Sequence, residues 1–189
     1  MDNTHSLYEG RQVRLGPLDH EKDPPVIAGW THDPLWRSIL AIGVARPLSV
    51  EAVRKLLEKV EKQMEETKNL FHFTLRVRDD NRLVGLARIF WIDFHNGTGV
   101  LDMGIGDRAD RRRGYGSEAL GLLLHFGFDE LNLHRLSAWP SADNLPFIHM
   151  AEKAGFKEEG RRREAAFHNG RYWDVVLLGL LRAKWEKKQ

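Results

Sequence analysis

Residues 117–131, SEALGLLLHFGFDEL, are apolar on almost every side once wound as a helix, and they follow directly on the charged run DRADRRRG at 107–114. A helix apolar all round cannot lie on a surface, so this one must be buried, and a sheet is the natural cover. The chain supplies strands on both sides of it. Upstream, RQVRLGPL (11–18) alternates Val13 and Leu15 with polar residues, and FHFTLRV (71–77) alternates Phe71, Phe73, Leu75 and Val77. LVGLARIFWID (83–93) and GVLDMGIG (99–106) follow turns at Asp79-Asp80-Asn81 and Asn96-Gly97, which makes an antiparallel meander. Between the first two strands lie a helix-like region with Asp23-Pro24-Pro25 near its start, Trp30 and Trp36 further on, and then an amphipathic helix over 49–66 with Ser49 as its N-cap.

Downstream, HRLSAWP (134–140) reads as a strand ended by Pro140. ADNLPFIHMAEKAGF (142–156) reads as a helix with Asp143 as candidate N-cap, Pro146 in the first turn and Gly155 as the stop. RYWDVVLLGLLRAKW (171–185) continues as a final strand, joined through Asn169-Gly170 to EEGRRREAAF. Strand, helix, strand, helix, strand after a meander requires one parallel crossover inside a mixed sheet.

Composition narrows the partners. A chain of 189 residues suits one domain, expected over 10–185. The absence of cysteine excludes disulfides and thiolate metal sites and suits a reducing cytoplasm. No apolar stretch approaches a membrane span, and MDNTHSLYEG lacks the apolar core of a secretion signal. A net charge of +2 gives no bulk attraction to nucleic acid. No clustered His and carboxylate spacing points to a metal. The basic residues are nevertheless gathered in RADRRR and GRRRE, and such clusters are most simply solvated faces.

The first cluster has a context that asks for more. Arg111, Arg112 and Arg113 precede Gly114-Tyr115-Gly116, and Ser117 and Glu118 open the buried helix. The first N–H groups of a helix have no partner within it, and the helix dipole favours an anion there. Glycines at 114 and 116 let an anion approach those N–H groups closely. The turn is therefore a candidate phosphate cradle.

GYGSEA (114–119) also matches a G-x-G-x-x-A dinucleotide fingerprint. Three facts reject it. Seven residues, Asp107 to Arg113, separate the glycines from the strand; the next strand ends in SAWP without the acidic ribose partner; and too little chain follows for the rest of a doubly wound sheet.

Arg111 to Gly116 reads R-x-x-G-x-G after the strand LDMGIGD, and this resembles motif A of the GNAT acyl-CoA N-acyltransferases. Asn144, followed eleven positions later by Gly155-Phe156, resembles the N…GF element of that family. EGRRREAAFHNGRYWDVVLLGLLRAKW (159–185) resembles the closing hairpin of the ribosomal-protein N-acetyltransferase branch, and FDELNLHRL (128–136) is similar to the helix-to-strand passage of that branch and of spermidine acetyltransferases. The resemblance implies an α/β fold of GNAT type, with a mixed, mostly antiparallel sheet of about seven strands and flanking helices. It implies acetyl-CoA as acyl donor and a primary amine as acceptor, on a small molecule, a polyamine or a protein N-terminus. An assembly of two copies is admitted; nucleic acid, membrane and metal are not expected.

Residue by residue, the resemblance assigns pyrophosphate binding to Arg111, Arg112, Arg113, Gly114, Tyr115, Gly116 and Ser117. It assigns pantetheine pairing to Met103, Gly104 and Ile105, on a strand that splays from RLSAWP, and a carboxamide contact to Asn144, which as a bare residue would simply cap a helix. A backbone N–H at the split can also polarise the thioester carbonyl. An ammonium cannot attack a thioester, so a base is needed for a lysine-like amine of pKa near ~10.4. Asp102 is the first candidate, ahead of His72, Asp93 and His149. Trp36 is the candidate for the acceptor pocket, while Phe90, Trp91 and Trp30 are more simply core. One departure stands out: the tyrosine that many relatives place seven residues after the asparagine is Ala151 here, and the position three after it is Phe147. The missing acid keeps a non-catalytic acyl-CoA-binding module as the rival reading.

Overall fold

The computed structural model describes residues 7–33, 36 and 46–188. Seven strands form one sheet in the order β1-β2-β3-β4-β5-β7-β6. They are β1 Val13–Gly16, β2 Phe71–Val77, β3 Leu83–Asp93, β4 Thr98–Ile105, β5 Arg135–Ala138, β6 Lys157–His168 and β7 Arg171–Leu181. All neighbours pair antiparallel except β4 and β5. The expected fold is present, and the single parallel pair lies where the sequence requires a crossover.

That crossover is α3, Tyr115–His125, continued by a π-turn at Phe126–Glu130. Ala119, Leu120, Leu122, Leu123 and Leu124 are buried on one sheet face with Ala87, Ile89, Leu101 and Met103, which gives the apolar helix its cover. Two helices pack on the other face: α1, Asp23–Trp30, and α2, Val50–Thr67, with Ser49 Oγ accepting the Ala52 N–H at 3.1 Å. There Ile27, Trp30, Val53 and Leu57 meet Leu83 and Leu86. Buried Asp23 fastens α1 to β2 by accepting from Arg76 at 2.5 Å and from the Asp19 N–H at 2.9 Å.

Several ends differ from the sequence reading. The helix α3 starts at Tyr115 rather than Ser117, because Gly114 takes φ +90° and stops the preceding turn, a conformation cheap only for glycine. Helix α4, Leu145–Ala154, is capped by Asn144, not Asp143: Asn144 Oδ1 accepts the Phe147 N–H at 3.3 Å. Asp143 is engaged instead with Ser141 Oγ at 2.6 Å and His168 Nε2 at 3.1 Å. The last strand ends at Leu181 and turns into a short helix, α5, Arg182–Trp185, whose Trp185 returns to the core. The Arg161–Arg163 run lies on β6, an edge strand exposed along nearly its whole length, where charge discourages pairing with another chain.

The docking of α1 depends on a bare backbone. A Cβ at Gly106, just past β4, would overlap the Trp30 indole. We expect Gly106→Ala to destabilise the protein by about 1–3 kcal/mol, the usual cost of overpacking. Urea denaturation should show a lower midpoint with an unchanged m-value.

Candidate active site

The site begins where β4 and β5 part. They pair through Thr98–Arg135, Gly99–Leu136 and Val100–Ser137, and no further. On its other edge β5 pairs with β7 from Arg135 to Ala138, and past it that pairing continues: the Val176 N–H donates to Pro140 O at 2.9 Å and the Ala142 N–H to Asp174 O at 2.9 Å. Strand β4 continues alone on that side to Ile105. The Gly106 N–H bonds Val84 O on the β3 side, at 2.9 Å. By the alternation of an antiparallel strand, Gly104 and Asp102 also turn their backbone toward β3, while Met103 and Ile105 turn theirs toward the gap.

The gap leads to the start of α3. Arg112 has φ +64° and Gly114 φ +90°, and successive left-handed turns of this kind form a concave nest of N–H groups. The Glu118 N–H is the first in α3 to find a helical carbonyl, Gly114 O at 3.1 Å, and no side chain caps the helix. The N–H groups of Tyr115, Gly116 and Ser117 precede it. A Cβ at Gly114 would meet only Gln12 Oε1 at 3.5 Å, and one at Gly116 only Met150 Sδ at 3.4 Å, so the space over the cradle is open. Arg112 and Arg113 are exposed beside it. Arg111 is not: its own N–H bonds Arg108 O, and its guanidinium donates to Ile105 O at 3.2 Å, Gly106 O at 2.7 Å and Asp33 at 3.0 Å. It fastens the loop to the end of β4.

On the face shared with α2, a cleft of about 490 Å³ opens over the same strands. Its floor is a row across three strands, His72, Arg88 and Asp102, set side by side by the registers His72–Arg88 and Arg88–Asp102. Val60 and Gln63 of α2 form one wall, and Trp139, Pro140, Asn144 and Phe147 the other. Asp102 is walled by protein yet keeps 40% of its side chain open to the cleft. Burial pushes its carboxyl above the ordinary 3.8, and the Arg88 guanidinium at 3.1 Å pulls it partly back. A raised folded value means that the ionised form costs stability. The favourable contribution is complete below the unfolded value and is lost as pH rises through the folded one. A carboxylate held at such a cost in a cleft is a candidate for proton transfer.

The other sequence candidates fall elsewhere. Trp36 is 7% exposed, packs on Trp30 with ring centroids 4.9 Å apart, and does not line the cleft; its position is a core one. Phe90 and Trp91, read from sequence as core, do line it. Asp93 closes the β3–β4 turn by accepting from the Asn96 N–H at 3.0 Å, which holds its carboxyl low. His149 is exposed on α4. Ala151 is fully buried, so this position offers the cleft no proton. Arg88 and Trp139 were not singled out from sequence; the alternation of Arg88 and Phe90 on β3 is the signal that pointed to Arg88.

Comparison with known proteins agrees with this geometry. Residues 12–157 match the family model of the acetyltransferase (GNAT) domain. The chain is 32% identical over 135 residues to the SPbeta prophage-derived uncharacterized N-acetyltransferase YokL of Bacillus subtilis, covering 71% of this chain and 74% of that protein. It is 29% identical over 103 residues to the spermidine N(1)-acetyltransferase of Vibrio cholerae, covering 54% and 59%. Its fold matches a crystal structure of a probable acetyltransferase with a TM-score of 0.81 at 23% identity, over 93% of this chain and 96% of that one. Sequence and fold thus lead to one assignment: the chain belongs to the GNAT acetyltransferase family and is an N-acetyltransferase.

Proposed function

We propose that the protein, as one domain over residues 10–185, transfers an acetyl group from acetyl-CoA to a primary amine by direct attack within a ternary complex. The observation that carries this reading is the continuity of the gap between β4 and β5 with the open N–H groups at the start of α3. An extended chain ending in phosphates fits that path: backbone groups along the strand, then an anion cradle. In this reading Met103 and Ile105 pair with the pantetheine arm, and Gly104 between them keeps its backbone bonds to β3. Arg112 to Ser117 receive the pyrophosphate, and Arg111 positions their loop. Asn144 spends Oδ1 on its own helix and offers its amide N–H₂ to the arm.

Acetyl-CoA supplies an activated thioester carbonyl. The chain's own groups do the rest. The Met103 N–H, aimed into the gap, polarises that carbonyl. Asp102 accepts the proton of the amine, and its raised pKa makes it a stronger base than an exposed aspartate. Arg88 keeps it oriented. The thiolate leaves without a tyrosine acid, because a thiol pKa near ~8.5 already makes a tolerable leaving group. Supply of acetyl-CoA places the reaction in the cytoplasm. Among the described residues no helix is long and apolar enough to cross a membrane. The spermidine acetyltransferase of Vibrio cholerae has been described as dodecameric, and self-association at least to a dimer belongs to this reading.

Two expectations follow from the cradle and the base. In Gly116→Val the Cβ comes into contact with Met150 Sδ at 3.4 Å, the end of a flexible side chain that can give way, and the methyls crowd the N–H groups. Titration calorimetry should show coenzyme A binding weakened by at least about tenfold, ~1.4 kcal/mol. Unchanged affinity in the folded variant would remove the cradle from the account.

For the base, activity requires ionised Asp102 and a neutral amine, so kcat/KM should rise with pH and stay flat to about pH 9. Asp102→Asn should lower it by about a hundredfold with coenzyme A binding retained. Tyr115→Phe and Tyr172→Phe should each cost less than about tenfold. A hundredfold loss in either would mean that a tyrosine acid has moved to another element. Failure of every amine tested to release thiol would favour the non-catalytic module instead.

A further inference from the structure

The cleft carries information about its acceptor, and the inference rests on the acetyl-transfer reading above. Asp102 is the one carboxylate among the described residues that line the cleft, and it is already paired with Arg88. Arg88 and His72 stand beside it, so the cleft has no surplus negative charge. A polycation placed here would leave its second and third ammonium groups without partners, at high cost in a walled cleft.

What the cleft does have is aromatic surface. Phe90, Trp91, Trp139 and Phe147 all line it. Neighbouring residues on a strand normally face opposite sides, yet Phe90 and Trp91 share this cleft. The register of β3 against β4 shifts between Phe90 and Asp93, and Trp91 takes φ +49°. A bulge thus re-aims Trp91, and a left-handed conformation is costly for so bulky a residue. The strain holds an indole at 63% exposure, with the Phe90 ring as its neighbour on the same strand at 5.0 Å between centroids. Trp139, 41% exposed, meets it across the split with ring centroids 5.4 Å apart. The Arg88 guanidinium already covers Phe90 at 4.5 Å, so the two indoles offer the open faces. Phe90 pairs with Val100, two residues from Asp102 on β4, a distance of about 7 Å along the strand.

We propose that the acceptor is a small primary monoamine carrying a flat apolar ring, which Trp91 and Trp139 read while its nitrogen lies at Asp102. The indoles set specificity, because stacking and edge contacts with a ring add to the burial of its apolar area.

The test is thiol release from acetyl-CoA by the purified protein with tryptamine, phenethylamine, n-butylamine, spermidine and a short peptide beginning with phenylalanine. Tryptamine and phenethylamine should exceed spermidine in kcat/KM by at least about tenfold. Trp91→Ala and Trp139→Ala should each lower the ratio of tryptamine to n-butylamine by about tenfold through KM, Trp91→Phe should retain most of it, and all three should still bind coenzyme A. Preference for spermidine, preference for the peptide over both arylalkylamines, or a ratio unmoved by the variants would each overturn the proposal while leaving acetyl transfer in place. If no amine releases thiol, acetyl transfer itself fails. Calorimetry with phenethylamine then decides the aromatic site: binding lost in both alanine variants sustains it, and no binding ends it.

Discussion

The structure turns on a loss of hydrogen bonds along one edge. After Ser137 the chain stops pairing with β4, while on its other edge it stays paired with β7 from Arg135 onward, through Pro140 and Ala142. A strand left with one unpaired edge inside a sheet is a liability unless something occupies it. Here a side chain takes only the last carbonyl of the edge, Ile105 O, to which Arg111 donates, and the start of α3 lies just beyond it. The backbone of Met103, the N–H of Ile105 and the N–H groups of Tyr115 to Ser117 make one continuous candidate binding surface.

The rest of the fold keeps that surface in place. Arg111 ties the glycine loop to β4 by donating to Ile105 O, Gly106 O and Asp33. Arg82 grips Asp110 in the same loop at 2.5 and 3.0 Å. A cradle built from backbone needs such struts, since loops otherwise relax when their ligand is absent. The apolar faces of α3 and α4 fill one side of the sheet, which leaves the polar row His72–Arg88–Asp102 on the other. The cleft spans the gap, from Asp102 on β4 to Trp139 and Asn144 beyond β5, so the proposed cofactor path and the acceptor cleft meet there.

Much of this was legible in the sequence, for definite reasons. Strands 71–77 and 83–93 follow from alternation and the turns that bound them, and they match the structure end for end. The buried helix, the parallel crossover and the glycine cradle follow from local pattern. Interactions between distant residues did not. Nothing near Arg111 says that its side chain would be taken by Asp33, 78 residues away. Trp36 and Trp91 look alike as letters: one packs in the core and the other is turned outward by a bulge, a backbone feature without a residue signature. Asn144 and Asp143 are equivalent caps by type, and the choice between them was made by His168, a partner 25 positions downstream of Asp143.

The central claim is that the open edge of β4 and the first turn of α3 together bind the acyl-CoA. Amide hydrogen exchange, measured residue by residue with and without coenzyme A, addresses it most directly. Slowed exchange at Met103, Ile105 and Tyr115 to Ser117, with little change along the β6 edge, is the predicted result. Protection confined to other segments, or exchange at these amides unaltered under saturating coenzyme A, would contradict it.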